Sequence, residues 1–312
     1  MTPAPPFLAH WDDVEPRRPQ RRGLGGAWTD LGTAAGSVTV GVNRVQLAAG
    51  EVSTPAHAHS ADEEIFFVLG GSGLSWQDGA THEIHAGDCI VHAAGGAAHT
   101  LRGGEDGVEV LAFGTRTRSG GTHLPQLGVR WLNPSWAEVG QGENPFDREP
   151  NLEWPEPSAR PKTIVNLDAY ETPYAHLGRD AGATKTGLNW AALPPGEEGA
   201  PPHCHSAEEE LFVILDGEGV VELWGRPDPA NPLQTEPAET HPVRRGHVIS
   251  RPAGTRVAHS LRAGPGGMTY LAYGTREPND MGWYPRSNKV FFRGLGVIAR
   301  LELLDYHDGE PS

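Results

Sequence analysis

A chain of 312 residues with 41 Gly, 28 Pro and two Cys has room for two cores of ordinary size and too few cysteines for a disulfide framework. Its formal net charge of -15 gives nucleic acid or an anionic membrane surface no electrostatic reason to bind. The expected partner is a small-molecule substrate, with no nucleic acid and no membrane.

The N-terminal stretch MTPAPPFLAHWDDVEPRRPQ has no apolar run of signal-peptide length, and no later segment approaches the roughly 20 apolar residues of a membrane span, so the expected location is the cytoplasm. Strand-length apolar runs follow: VTVGVNRVQL (38–47), EIFFVL (64–69), CIVHA (89–93) and EVLAFG (109–114). Residues 133–161, rich in Pro, Gly and acidic side chains without a period, read as a linker. Beyond it come LNWAAL (188–193), ELFVIL (210–215), VVELW (220–224), HVIS (247–250) and MTYLAYG (268–274), then residues 288–306, read as two strands around Gly294 and Gly296. Turn residues separate these runs and none carries helical periodicity, which predicts an all-β protein. The expected units are an N-terminal barrel over 1–132, the linker over 133–161 and a C-terminal barrel over 162–312.

The two halves repeat each other. HAHSADEEIFFVLGG (57–71) returns as HCHSAEEELFVILDG (203–217), an offset of 146, and LGTAAG (31–36) returns as LGRDAG (177–182) at the same offset. AAHTLRGG (97–104) meets VAHSLRAG (257–264) at an offset of 160, so the second half has gained 14 residues, mostly in the Pro-rich 225–242, read as an enlarged hairpin loop. Residues i and i+2 of a strand share a face, so His57 with His59, and His203 with His205, project together. Glu64 and Glu210 open the next apolar strands, where an inward carboxylate calls for a cation. His99 and His259 follow a Gly-containing turn that returns their strands beside the first pair. Three imidazoles and a carboxylate suit a divalent transition metal (Fe, Mn, Ni, Cu, Co or Zn), one per barrel.

His-x-His, x3 or x4, Glu, x6, Gly, followed by Gly, a Pro-x-Gly turn and His, resembles the cupin superfamily, and two copies resemble a bicupin. The resemblance implies two jelly-roll barrels in tandem, each with its metal inside. It selects Glu64 and Glu210, seven residues before Gly71 and Gly217, over Glu63 and Glu209, whose side chains are expected to face solvent. GHVISRPAGTRVAH (246–259) matches the second motif, and GDCIVHAAGGAAH (87–99) matches it loosely, with His92 where Pro is expected. Gly50 and Gly196 stand one residue too far from the His pairs, and Asn after the last His is missing; these departures concern pocket chemistry and leave the ligands intact.

Cys204 alternates away from His203 and His205 and reads as apolar filler. Arg102 and Arg262 also alternate outward. Arg116 and Arg276, in the repeated Gly-Thr-Arg, read as a structural salt bridge or turn ahead of an anion site. His82, His85, His123, His176, His241, His247 and His307 show no convergent partners. Phe66 and Phe212 share the face of the ligand Glu and form an apolar wall. The leading expectation is a dioxygenase-type enzyme acting on a small organic substrate, with Glu210 as a catalytic base. The alternatives are a non-catalytic metal- or small-molecule-binding bicupin and a sugar isomerase or lyase. Oxalate decarboxylation is disfavoured because VSTPAHAH and GAPPHCH lack an Arg before the histidines. A monomer or a homodimer is expected, since two fused barrels supply the pairing that single cupin domains obtain by dimerising.

Overall fold

The computed structural model describes residues 5–19, 24–117, 120–132, 135–137, 152–228, 230 and 233–310. Among them no helix is long and apolar enough to cross a membrane. Residues 133–134 and 138–151 of the expected linker 133–161, and three residues of the enlarged hairpin loop 225–242, lie outside the described residues.

Each half builds a 7-stranded and a 4-stranded antiparallel sheet. The large N-terminal sheet centres on Glu64–Gln77 paired with His99–Thr115; its C-terminal counterpart centres on Glu210–Leu223 paired with His259–Thr275. In each pair the register slips twice, between Val68 and Gly73 or between Ile214 and Gly219. At the slips Gly71 and Gly217 adopt φ 74°, and a Cβ there would sit 2.2 Å from the Gly107 oxygen or 2.3 Å from that of Gly267. Only glycine fits so close an approach in that conformation, and the bulges bend the sheet into a jelly-roll barrel.

The strands do not stay within their own halves. Leu8–His10 pairs with His247–Arg251 at the edge of the C-terminal sheet, and Ile164–Asn166 pairs with Asp88–His92 at the edge of the N-terminal sheet. Each barrel is thus completed by a three-residue strand from the other side of the expected boundaries at 132 and 162. Residues 152–161 also lie on the N-terminal barrel, where Trp76 donates to the Glu153 carbonyl and Arg160 pairs with Asp88.

Three apolar clusters follow. One fills the N-terminal barrel around Val68, Ile90 and Leu101. A second fills the C-terminal barrel around Ile214, Ile249 and Leu261. The third lies between the barrels and draws on both, with Ile65, Leu111 and Phe113 against Leu188, Leu211 and Tyr273.

This third cluster corrects the expectation for Glu63 and Glu209. Neither faces solvent; both are buried, at 0% and 1% exposure, in the seam between barrels. The Glu63 carboxylate accepts from the amides of Thr184, Lys185 and Thr186 and from the Thr184 and Thr186 hydroxyls. The Glu209 carboxylate accepts from the amides of Val38 and Thr39, the Thr39 hydroxyl and Ser250 Oγ. Alternation does turn these side chains away from the barrel interior, but outward here means into the partner barrel, and backbone donors there offset the desolvation of the carboxylates.

Candidate metal centres

The backbone sets the first and third histidines opposite each other. His57 and His99 exchange two amide-to-carbonyl bonds of 3.1 and 2.8 Å, and His203 and His259 exchange two of 3.1 and 2.9 Å. His59 and His205 come from two-residue strands paired with Thr122–Leu124 and Met281–Tyr284. Glu64 and Glu210 point from the first residue of each long strand into the same space.

Around Glu64 Oε2 stand His99 Nε2 at 2.9 Å, His59 Nε2 at 3.2 Å and His57 Nε2 at 3.8 Å. Around Glu210 Oε2 stand His259 Nε2 at 3.0 Å, His205 Nε2 at 3.4 Å and His203 Nε2 at 3.6 Å. The N-terminal four offer donor atoms that all lie within 4.8 Å of one another; in the C-terminal half His203, His205 and Glu210 meet that distance, and His259 joins through Glu210. The far nitrogens are tethered. His57 Nδ1 donates to the Pro55 carbonyl, His99 Nδ1 to Ala97 and His203 Nδ1 to Pro201. A carbonyl only accepts, so the tautomer protonated at Nδ1 satisfies these contacts and leaves the Nε2 lone pair available to a metal ion.

The electrostatics suit a cation. Burial and the neighbouring His99 hold His57 down to about 3, and burial holds His259 down to about 3, so both rings are neutral at ordinary pH. Burial pushes the Glu64 and Glu210 carboxyls up, but hydrogen bonds and charge from the surrounding imidazoles outweigh it and keep both well below the usual carboxylate range. Buried His59 Nε2, Glu210 Oε2 and His259 Nε2 have no aligned hydrogen-bond partner among the described residues. In each barrel three imidazole nitrogens and one carboxylate oxygen converge, with buried atoms among them left unpaired, and this donor set fits a divalent transition metal.

The surroundings differ. The N-terminal centre opens into a cavity of about 260 Å³ and the C-terminal one into about 550 Å³. In the larger, Ala191, Leu193, Phe212, Leu261 and Tyr270 form the apolar wall beside His203, Glu210 and His259. Phe66 and Phe212 meet His99 and His259 edge-on at 5.8 and 5.4 Å, on the ligand face expected of them. Cys204 packs away from the centre against Trp224, Ala258 and Trp283. Arg102 lies over the Trp154 ring, and Arg262 pairs with Glu222 and Glu198, structural roles both.

His92 needs a correction. Strand pairing sets Glu64 opposite His92 and Glu210 opposite Arg251, so the counterpart of His92 is Arg251, and Pro252 corresponds to Ala93. The extra residue of the second half lies after Gly254, and the other 13 of the 14 lie in the loop before Glu239. His92 is buried and stacked on His99, ring centres 3.7 Å apart, with its Nε2 unpartnered.

Sequence reasoning missed Asp280. Its carboxylate accepts a hydrogen bond from His205 Nδ1 at 2.6 Å, and others from the amides of Ala207 and Glu208. Burial raises the Asp280 carboxyl, but the His205 contact outweighs it and brings it down to about 2. The same position in the first half is Gly120, and His59 Nδ1 meets the Thr122 hydroxyl at 3.3 Å instead. With no repeat partner and 75 residues of separation, Asp280 left no signal in the sequence.

Residues 43–113 match the family described as Cupin domain. No curated protein sequence matches the chain. Among solved structures, the oxalate decarboxylase of Bacillus subtilis is similar at 14% identity and TM-score 0.58, over 88% of this chain and 78% of that one. A Lactobacillus farciminis oxalate decarboxylase in complex with formate is similar at 14% identity and TM-score 0.58, over 88% of each chain. Procruciferin, an 11S globulin from Brassica napus, is similar at 14% identity and TM-score 0.58, over 89% of this chain and 87% of that one. At such identities the likeness establishes the fold, and chemistry has to be argued from the side chains.

Proposed function

We propose that this chain, with a Cupin domain match over residues 43–113 and the two-barrel fold of the similar solved structures, is a two-barrel cupin and a metal-dependent enzyme of dioxygenase type working in its C-terminal barrel. His203, His205, Glu210 and His259 would hold the ion there, and His57, His59, Glu64 and His99 its counterpart in the first barrel. A bound ion supplies Lewis acidity and, where redox-active, a path for electrons to dioxygen. The observation that carries the reading is the cavity of about 550 Å³ whose apolar wall ends on the donor cluster, large enough for a small organic substrate.

In this reading the chain's own residues bind and orient. Phe212, Leu261 and Tyr270 hold the apolar body of the substrate and keep water from the reacting end. Glu210, where the apolar wall meets the donor cluster, accepts a substrate proton at a carboxylate oxygen not engaged by the ion. Asp280 holds the His205 ring in one orientation. Oxygen uptake by the wild type and Glu210→Gln tests the base: uptake is expected to fall by about 10²-fold or more, and equal uptake contradicts the role. Substrate turnover that persists without oxygen would instead assign an isomerase or lyase. Chelation that lowers thermal stability while no substrate is consumed would assign a non-catalytic binder.

A further inference from the structure

The repeated Gly-Thr-Arg has different fates in the two barrels. In the first, Arg116 is fully engaged: it reaches Asp30 at 3.4 Å, the Thr33 hydroxyl at 3.0 Å, and the carbonyl and hydroxyl of Ser37 at 3.2 and 3.4 Å. Asp30 also caps the short helix Leu31–Ala34 through the Thr33 amide. This is a closed, charge-neutral tie between a strand end and a helix start.

In the second barrel every side chain of that tie has changed. At the offset of 146, Asp30 becomes His176, Thr33 becomes Arg179 and Ser37 becomes Ala183. Arg276 keeps its place flat against Gly187, as Arg116 lies against Gly41; a Cβ at either glycine would stand within 3 Å of the guanidinium. Its Nε donates to the Thr186 carbonyl, and among the described residues no carboxylate pairs with it. His176 turns to the Asn189 side chain instead of capping its helix. A carboxylate and a hydroxyl have been exchanged for an imidazole and a second guanidinium.

These groups line one cavity of about 250 Å³, whose walls carry His176, Arg179, Arg276 and Arg293 together with Glu208 and Glu210. Arg293 is taken by Glu208, and Arg179 shares its Nε with Asp180 on the solvent side. That leaves the Nη groups of Arg276 as donors facing the cavity. The charges of Arg276 and Arg179 also reach Tyr174, whose phenol burial pushes up and these two cations pull back. Glu210 and Asn189 line both this cavity and the large one, so the two spaces meet at the donor cluster.

We infer that the cavity formed by His176, Arg179 and Arg276 is an oxyanion pocket, present in the C-terminal barrel alone, that takes a carboxylate beside Glu210. Guanidinium groups offer paired N–H donors to carboxylate and phosphate alike, but the acidic side chains in the lining, Glu208 and Glu210, repel a multiply charged phosphate more than a singly charged carboxylate. The pocket stands on the arginine geometry and does not require the metal assignment.

Calorimetric titration of the full chain at low ionic strength tests it, with acetate as probe, inorganic phosphate as the second probe, and protein both as purified and after chelation. Two variants carry the test: Arg276→Gln, and the double change His176→Asp with Arg179→Thr, which gives Arg276 the carboxylate and threonine hydroxyl that Arg116 has in the first barrel, at positions where that fold already carries them. Acetate is expected to bind the wild type before and after chelation, and about tenfold or more weaker to both variants. Unchanged acetate binding in the double variant would overturn the pocket. Loss of binding on chelation would place the anion on the ion instead and equally overturn it. Phosphate binding tighter than acetate would overturn the carboxylate assignment.

Discussion

The two barrels keep the same donors and differ in nearly everything around them. Both centres have three imidazoles and a glutamate, set by the same His–His backbone bridge and the same bulged strand pair. The first is small, backed by stacked His92, and its arginine is tied to Asp30. The second has twice the cavity, a carboxylate behind His205 and an arginine without its acidic partner. After duplication, geometry at the ion tolerates little change, because donors out of place lose binding outright, whereas walls and supporting groups change one at a time.

The largest expected effect lies where the barrels depend on each other. Glu63→Ala strands five donors of the second barrel in a buried seam, and a loss of about 3–5 kcal/mol is expected in denaturant unfolding. Glu209→Ala removes an acceptor from four donors, one of them at 3.4 Å, and is expected to cost less. Equal and small losses for both would mean that the seam is held by its apolar cluster alone.

The next effect separates the centres. Asp280→Asn is expected to weaken metal binding in the C-terminal barrel by about 10–100-fold, and Thr122→Val to weaken it less in the N-terminal barrel. Competition with a calibrated chelator measures both; an equal response would remove the distinction drawn between the supporting groups.

The smallest effect is one of pH. His57 and His259 are held down to about 3 and do not compete for protons at ordinary pH. Burial lowers His59 and His205, but Glu64 with Asp62, and Asp280 with Glu210, outweigh it and raise both. A raised imidazole binds its proton from higher pH, so metal affinity falls as pH decreases, beginning above the ordinary imidazole range. Affinity constant across that range would contradict the assignment of His59 and His205 as ligands.

Much of this was legible in the residues. Spacing of two in a strand, repeated at a fixed offset, brought His57, His59, His203 and His205 together on paper, and the third histidines followed from the same repeat. The exchanged strands were not legible, because Leu8–His10 and Ile164–Asn166 are too short to carry a period. Glu63 and Glu209 were misread for a reason the sequence does contain: EIFFVL and ELFVIL are apolar at successive positions, the pattern of strands covered on both faces. Asp280 and the freed Arg276 depend on loops that do not repeat, or on the loss of a partner far along the chain.

Metal content per chain in natively purified protein, compared with His57→Ala and His203→Ala, tests the central claim most directly. Two ions per wild-type chain are expected, with each variant losing the ion of its own barrel and keeping the other. Wild-type protein without a stoichiometric ion, or variants that match it, would contradict the claim that these donors form two metal centres.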